Sequence, residues 1–147
     1  MNFNCEVWPH PSHPAFPKET FHWAPLVNIK LIHQHSPPTK WIESFVDSGA
    51  PYCMFHGGIC SQLGIKRVED GIEDELRGVV GGPKAPLYFH NVKILVGSEQ
   101  FETMAGFSWA LAVGGLLGRR GLFENFIVRI DSSSTPPMFE LEKIHRV

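Results

Sequence analysis

Asp47 closes the largely apolar run Trp41-Ile42-Glu43-Ser44-Phe45-Val46 and is followed at once by Ser48, Gly49 and Ala50. A carboxylate there has two uses. It can accept backbone N–H groups inside its own turn, as an aspartate before Ser-Gly commonly does, or it can be held by a packed strand for catalysis. The bulk of Trp41, Ile42, Phe45 and Val46 predicts a packed strand and favours the second use. Other reactive side chains are less organised. The densest histidines are His10 with His13 and His33 with His35, and the first pair lies among prolines at 9, 11, 14 and 17. Such a stretch is extended or irregular, whereas metal ligands must be held within narrow distances, so neither a metal site nor a cofactor is expected. Cys5, Cys53 and Cys60 are odd in number and form no CxxC pair, which argues against a disulfide framework and a four-thiolate zinc site. They are expected reduced and buried.

The elements around Asp47 read as short strands and turns. "APLVNIKLIH" from Ala24 sets Val27, Ile29 and Leu31 against Leu26, Asn28, Lys30 and Ile32, a strand apolar on both faces. "HSPPTK" turns the chain, and "WIESFV" returns as the second strand of a hairpin that delivers Asp47. After the carboxylate, "CMFHGGICSQLGI" predicts a short helix with Ile59 and Leu63 four apart and Gly64 as its stop. The polar run "KRVEDGIEDELRG" predicts a solvated loop or edge. Gly81-Gly82-Pro83 and Gly97-Ser98 mark hairpin turns between further strands, "LFENF" a single helical turn and "FIVRI" another strand. Residues 1–22 read as a proline-rich arm and "SSSTPP" as a linker. The final "MFELEKIHRV" is open between strand and helix. Many short strands at this spacing predict an all-β barrel or sandwich-like domain.

Composition narrows the functions. The 147 residues, 43% hydrophobic, suit one domain with one core. Thirteen Lys and Arg against fifteen Asp and Glu leave no basic surface of the kind that binds nucleic acid. The longest apolar stretch, Met104 to Gly118, is broken by glycines and falls short of the roughly 20 residues of a spanning helix, so no membrane association is expected. The N-terminus lacks a basic start followed by an apolar block, and the expected location is cytoplasmic.

The order of these features resembles a known family. An apolar strand, Asp-Ser-Gly-Ala, a short helix ending in "LGI", a glycine-bearing hairpin, two leucines before Gly-Arg, a helical turn and a strand are similar to the retropepsin-like aspartic proteases, single-domain relatives of pepsin. "FVDSGA" matches the family's catalytic Asp-Thr/Ser-Gly at Asp47, Ser48 and Gly49, and "GLLGRRGLF" its second hallmark at Leu116, Leu117 and Gly118. The likeness runs over roughly residues 24–131 and implies a protease domain at 23–131, flanked by the arm at 1–22 and a linker with C-terminal tail at 132–147. It implies an aspartic endopeptidase in which two carboxylates share one proton across a bound water. Asp70, Asp74 and Asp131 lack a following Ser/Thr-Gly. The second carboxylate must therefore come from another copy, in a symmetric homodimer with Asp47 of each on the two-fold axis.

The resemblance also assigns supporting roles. Ser48 would hydrogen-bond across the dimer axis, and Gly49 would permit positive φ and leave room beside the carboxylates. Leu116, Leu117 and Gly118 would pass behind the catalytic loop, Ala50 would line the substrate site, and Gly81 and Gly82 would form a flap tip over a bound peptide. Two positions depart from the pattern. Pro51 stands where many retroviral relatives have Asp, which leaves Arg119 without its expected partner, and Arg120 stands where Asp or Asn is frequent. A second reading is therefore a protease-like module that binds peptides or dimerises with little hydrolysis.

Overall fold

The computed structural model describes residues 1–77 and 84–146. Its strands are β1 (Asn2–Asn4), β2 (Glu6–Pro9), β3 (Phe21–Ala24), β4 (Leu26–Ile32), β5 (Ile42–Val46), β6 (Met54–His56), β7 (Ile72–Leu76), β8 (Ala85–Val96), β9 (Glu99–Ser108), β10 (Gly115–Leu117), β11 (Phe126–Asp131) and β12 (Met138–Lys143). The helical pieces are short: 3₁₀ segments at Gly57–Leu63 and Val68–Asp70, and one α-helical turn, α1 (Leu122–Asn125). The chain is mostly β, as its sequence predicts. No helix among the described residues is long and apolar enough to cross a membrane.

Seven strands form one sheet in the order β4-β5-β10-β6-β9-β8-β7, and β8 also pairs with β4. That additional pairing closes six strands into a barrel and leaves β7 as an outer extension. Length makes the closure possible. The 12 residues of β8 pair with β7 through Ala85–Phe89 and with β4 through Lys93–Val96, so one long strand serves both the barrel and its outer flap of sheet. Gly97, at φ +54°, makes the tight turn from β8 into β9.

Alternation fills the interior. Val27, Ile29 and Leu31 of β4 are buried, as are Ile42, Ser44 and Val46 of β5, Val92, Ile94 and Val96 of β8, and Phe101, Ala105 and Phe107 of β9. The outer face of β4 is mixed, with Asn28 exposed and Lys30 half-buried, so the strand is apolar on one face only. Trp41, expected to pack, is 64% exposed, and Lys30 Nζ lies 4.4 Å above its ring. Gly115 leaves the space that the buried Ser44 hydroxyl and the Phe55 ring fill. Cys5, Cys53 and Cys60 are free and buried.

The two ends of the chain contribute further strands, including one from the tail that the sequence left unassigned. β1 pairs with β12, and β12 with β11, in a separate three-stranded sheet. β2 and β3 form their own hairpin. The prolines at 11, 14 and 17 fall between β2 and β3, where no ladder N–H is needed, while Asn2–Asn4 and Glu6–Trp8 contain none. Within "KRVEDGIEDELRG", Val68–Asp70 make a 3₁₀ turn and Ile72–Leu76 the edge strand β7, exposed along most of its length.

Burial sets the chemistry of the thiols. It pushes Cys53 from its ordinary 9.0 up to about 11 and Cys60 up to about 12, because a thiolate would lose its water. The folded chain keeps these protons at a pH where the unfolded chain releases them. Their contribution to stability is therefore full below pH 9 and declines as pH rises through 11 and 12. Urea titrations of wild type and Cys60→Ala should show the difference between the two proteins changing only above pH 9. A difference that is flat to pH 12 would mean that Cys60 meets solvent in the folded state.

Candidate active site

The geometry around Asp47 follows from two strands that run side by side. β5 and β10 pair in parallel, Ser44 with Gly115, Phe45 with Leu116 and Val46 with Leu117. The pairing continues past both strand ends. Asp47 N–H donates to the Leu117 carbonyl at 3.1 Å, Arg119 N–H to the Ala50 carbonyl at 2.9 Å, and Arg120 N–H to the Pro51 carbonyl at 3.0 Å. The loop from Asp47 to Pro51 is thus tied at both ends to one neighbouring segment. On the other side of β5, Val46 N–H donates to the Pro25 carbonyl at 2.9 Å.

Within the loop, Ala50 N–H donates to the Asp47 carbonyl at 3.2 Å, and Gly49 N–H to Asp47 Oδ1 at 2.8 Å. The turn-aspartate bond is therefore present. It occupies one oxygen of a half-exposed carboxylate, and none of the ion pairs among the described residues includes Asp47. The Arg119 guanidinium, expected to lack its partner, donates from Nη1 to the Ser48 carbonyl at 2.9 Å. A cation bound to main chain replaces a pair with the carboxylate that Pro51 does not offer. Arg119 thus braces the loop and sets a positive charge beside it.

The site residues divide by role. Leu117 is fully buried in the barrel core, and Leu116 faces the other way into a small outer cluster with Ala50, Met54 and Leu87. Gly118 is required by space, since an added Cβ would lie 2.6 Å from the Ala50 carbonyl oxygen and closer still to that of Tyr52. Gly49 does not adopt positive φ, which corrects the expectation for it. Its lack of a side chain matters because a Cβ would stand 3.1 Å from Asp47 Oδ1. Ser48 is exposed and Ala50 buried. Gly81 and Gly82, the expected flap tip, lie outside the described residues.

Tyr52 is a site residue that the sequence reading passes over. Its ring meets Phe89 edge-on at 5.0 Å and lines two cavities, of about 330 and 380 Å³. Pro51, Met54, Leu76 and Leu87 contribute to the first, and Phe89, Met104 and Arg120 to the second, with Asp74 reaching both. The signal was weak: one aromatic after a proline, its partner 37 residues on. The backbone of Tyr52 bridges to Arg120, which puts that arginine at the wall of the second cavity.

The other aspartates make contacts of their own. Asp70 faces Arg67 at 4.0 Å, and Asp74 Oδ1 accepts the Glu75 N–H at 2.8 Å. Asp131, in the three-stranded sheet, accepts both the hydroxyl and the N–H of Ser133, bonds that hold its pKa below the usual carboxylate value. His10 stacks on His22 at 4.9 Å and His33 meets His90 edge-on at 6.3 Å, and among the described residues no three His, Cys, Asp or Glu side chains converge as metal ligands.

No family model and no curated protein matches the chain. Among solved structures, the retroviral protease-like domain of Ddi1 from Leishmania major aligns with a TM-score of 0.49 and 14% identity, covering 69% of this chain and 79% of that one. The EIAV protease complexed with the inhibitor HBY-793 aligns with a TM-score of 0.44 and 18% identity, over 65% of this chain and 82% of that one.

Gly118→Ala tests the cross-ties. The new methyl meets two backbone carbonyls, so the loop must move away from β10, at an expected cost of about 1–3 kcal/mol. Chemical denaturation gives that cost, and hydrogen exchange should accelerate at the amides of Asp47 and Arg119 while β8 and β9 stay protected. Unchanged stability and exchange would mean that the loop is not pinned at this point.

Proposed function

We propose that this chain is an aspartic endopeptidase that works as a homodimer, with Asp47 of each copy forming the paired carboxylates. One observation carries the reading: a half-exposed carboxylate, outside every ion pair among the described residues, stands on a loop tied to β10 at both ends. A rigid loop is what proton sharing requires. Two carboxylates held close together cannot both ionise, so one keeps its proton and polarises the scissile carbonyl while the other takes a proton from the attacking water. The pair titrates as a unit.

This chain's own residues then have distinct tasks. The Gly49 N–H fixes one oxygen of Asp47 and leaves the other for water and its twin. Arg119 and the Leu117 carbonyl hold the loop in place. Ser48, exposed beside Asp47, is available to bond its counterpart across the two-fold axis. The cavities flanking Tyr52 begin four residues beyond Asp47, within reach of the side chains of an extended peptide whose scissile bond lies at the carboxylates.

A second reading, a peptide-binding module with little turnover, is favoured by one feature: Pro51 removes the N–H donor and the carboxylate with which that position could hold a substrate backbone.

Asp47→Asn separates the two. The side chain is half-exposed and similar in size, so the thermal midpoint should stay within a few degrees of wild type. Cleavage of an extended peptide library should fall by about a thousandfold. Cleavage that persists in Asp47→Asn would remove the assigned role, and peptide binding with no turnover in wild type across acid to neutral pH would establish the second reading.

A further inference from the structure

The β2–β3 hairpin has two unlike faces. In its register Glu6 lies opposite Ala24, Val7 opposite Trp23, Trp8 opposite His22 and Pro9 opposite Phe21. Residues directly opposite share a face, so Trp8 is on one side and Val7, Pro9, Phe21 and Trp23 are together on the other. The Trp8 side meets the barrel, where its ring packs edge-on against Phe45 at 4.8 Å. The opposite side is apolar and uncovered: Val7 is 48% exposed, Trp23 42% and Phe21 37%, with Phe16 at 56% near the tip. A two-stranded hairpin is marginal by itself in water, and a contiguous exposed apolar face of this kind marks an interaction surface.

We propose that this outward face docks on a second copy of the chain and brings the two Asp47 loops together. The inference rests on the paired-carboxylate reading and adds to it the surface that forms the pair. Three observations select the occupant. First, the hairpin is rooted beside the carboxylate: β3 runs into Pro25, whose carbonyl binds the N–H of Val46, and Trp8 sits on Phe45, two residues before Asp47 on the same strand face. A partner seated at the root of the hairpin would lie near Asp47, where on the proposed reading the site is incomplete in one copy. Second, β12 is flanked on both edges by strands of its own chain, β1 and β11, so a partner's terminus has no edge of β12 to pair with. Third, the face has the apolar centre that an interface needs. Val7, Phe16, Phe21 and Trp23 expose on the order of 350 Å² if each large side chain offers about 150–250 Å². That is a little under half of the roughly 800 Å² that each partner gives to a stable complex, the rest being its polar rim.

Sedimentation equilibrium on the full chain tests this surface. Wild type should weigh twice its 16.5 kDa at micromolar concentration. The double variant Phe21→Ser with Trp23→Ser should dissociate roughly a hundredfold more readily, as loss of aromatic anchors does. Trp109→Ser, which removes a still more exposed aromatic from elsewhere on the surface, should remain a dimer. Should the double variant misfold by circular dichroism, hydrogen exchange on wild type answers the same question, with protection at residues 7–9 and 21–23 rising with protein concentration. A monomeric wild type at 100 μM, or a dimer that the double variant leaves intact, overturns the inference; the second outcome leaves paired Asp47 residues possible through another surface. A dimer that the hairpin controls and that cleaves nothing upholds the inference while the protease reading fails.

Discussion

The parallel pairing of β5 with β10 is the constraint on which the site depends. Parallel neighbours need a long connection, and here everything from Asp47 to Gly114 lies between them. Because they leave the barrel at the same end, the residues beyond them can keep exchanging backbone bonds: Asp47 with Leu117, Ala50 with Arg119, Pro51 with Arg120. Two turns that would each be mobile alone become one braced unit. Gly118 lies where they approach most closely, and its missing side chain is the space through which the approach occurs.

The barrel converts that local brace into rigidity. Leu117 is buried in the core that holds Phe55, Phe107 and Ile94 of β8, while Leu116, the residue before it, covers Ala50 and Met54 outside. One short strand therefore anchors the loop from below and packs against it from the side. The Arg119 guanidinium adds a third support at Ser48. The guanidinium is spent on that carbonyl, an arrangement that positions the loop without an ion pair at Asp47.

Much of this was legible in the sequence because period-two alternation and turn residues are local signals. The barrel strands around Val27–Leu31 and Val92–Val96, the stop at Gly64 and the hairpin at Gly97 all follow from neighbours a few residues apart. Asp47 stood out because an acid after a bulky run and before Ser-Gly is locally unusual. What stayed hidden depends on long-range contacts. The proline-rich start could not reveal that Asn2–Asn4 would find a partner strand some 135 residues away, since edge pairing is decided by the other strand. Trp41 looked like core because of its size, yet it lies outside and carries Lys30 on its ring. Of the two reasons the family resemblance gave for Gly49, positive φ and room beside the carboxylate, only the second is used.

The termini form a sheet of their own. β12 is the middle strand of β1-β12-β11, so its hydrogen-bonding capacity is spent inside one chain. The outer edges of β1 and β11 remain, but Asp131 at the end of β11 is fixed by Ser133 in a loop that belongs to the far sheet. The hairpin has the opposite character. Its ladder is satisfied between β2 and β3, its inner face is anchored at Phe45, and only side chains are left to bind. Apolar side chains offered from a braced root suit the proposed contact between copies, because the root is fixed to the strand that carries Asp47.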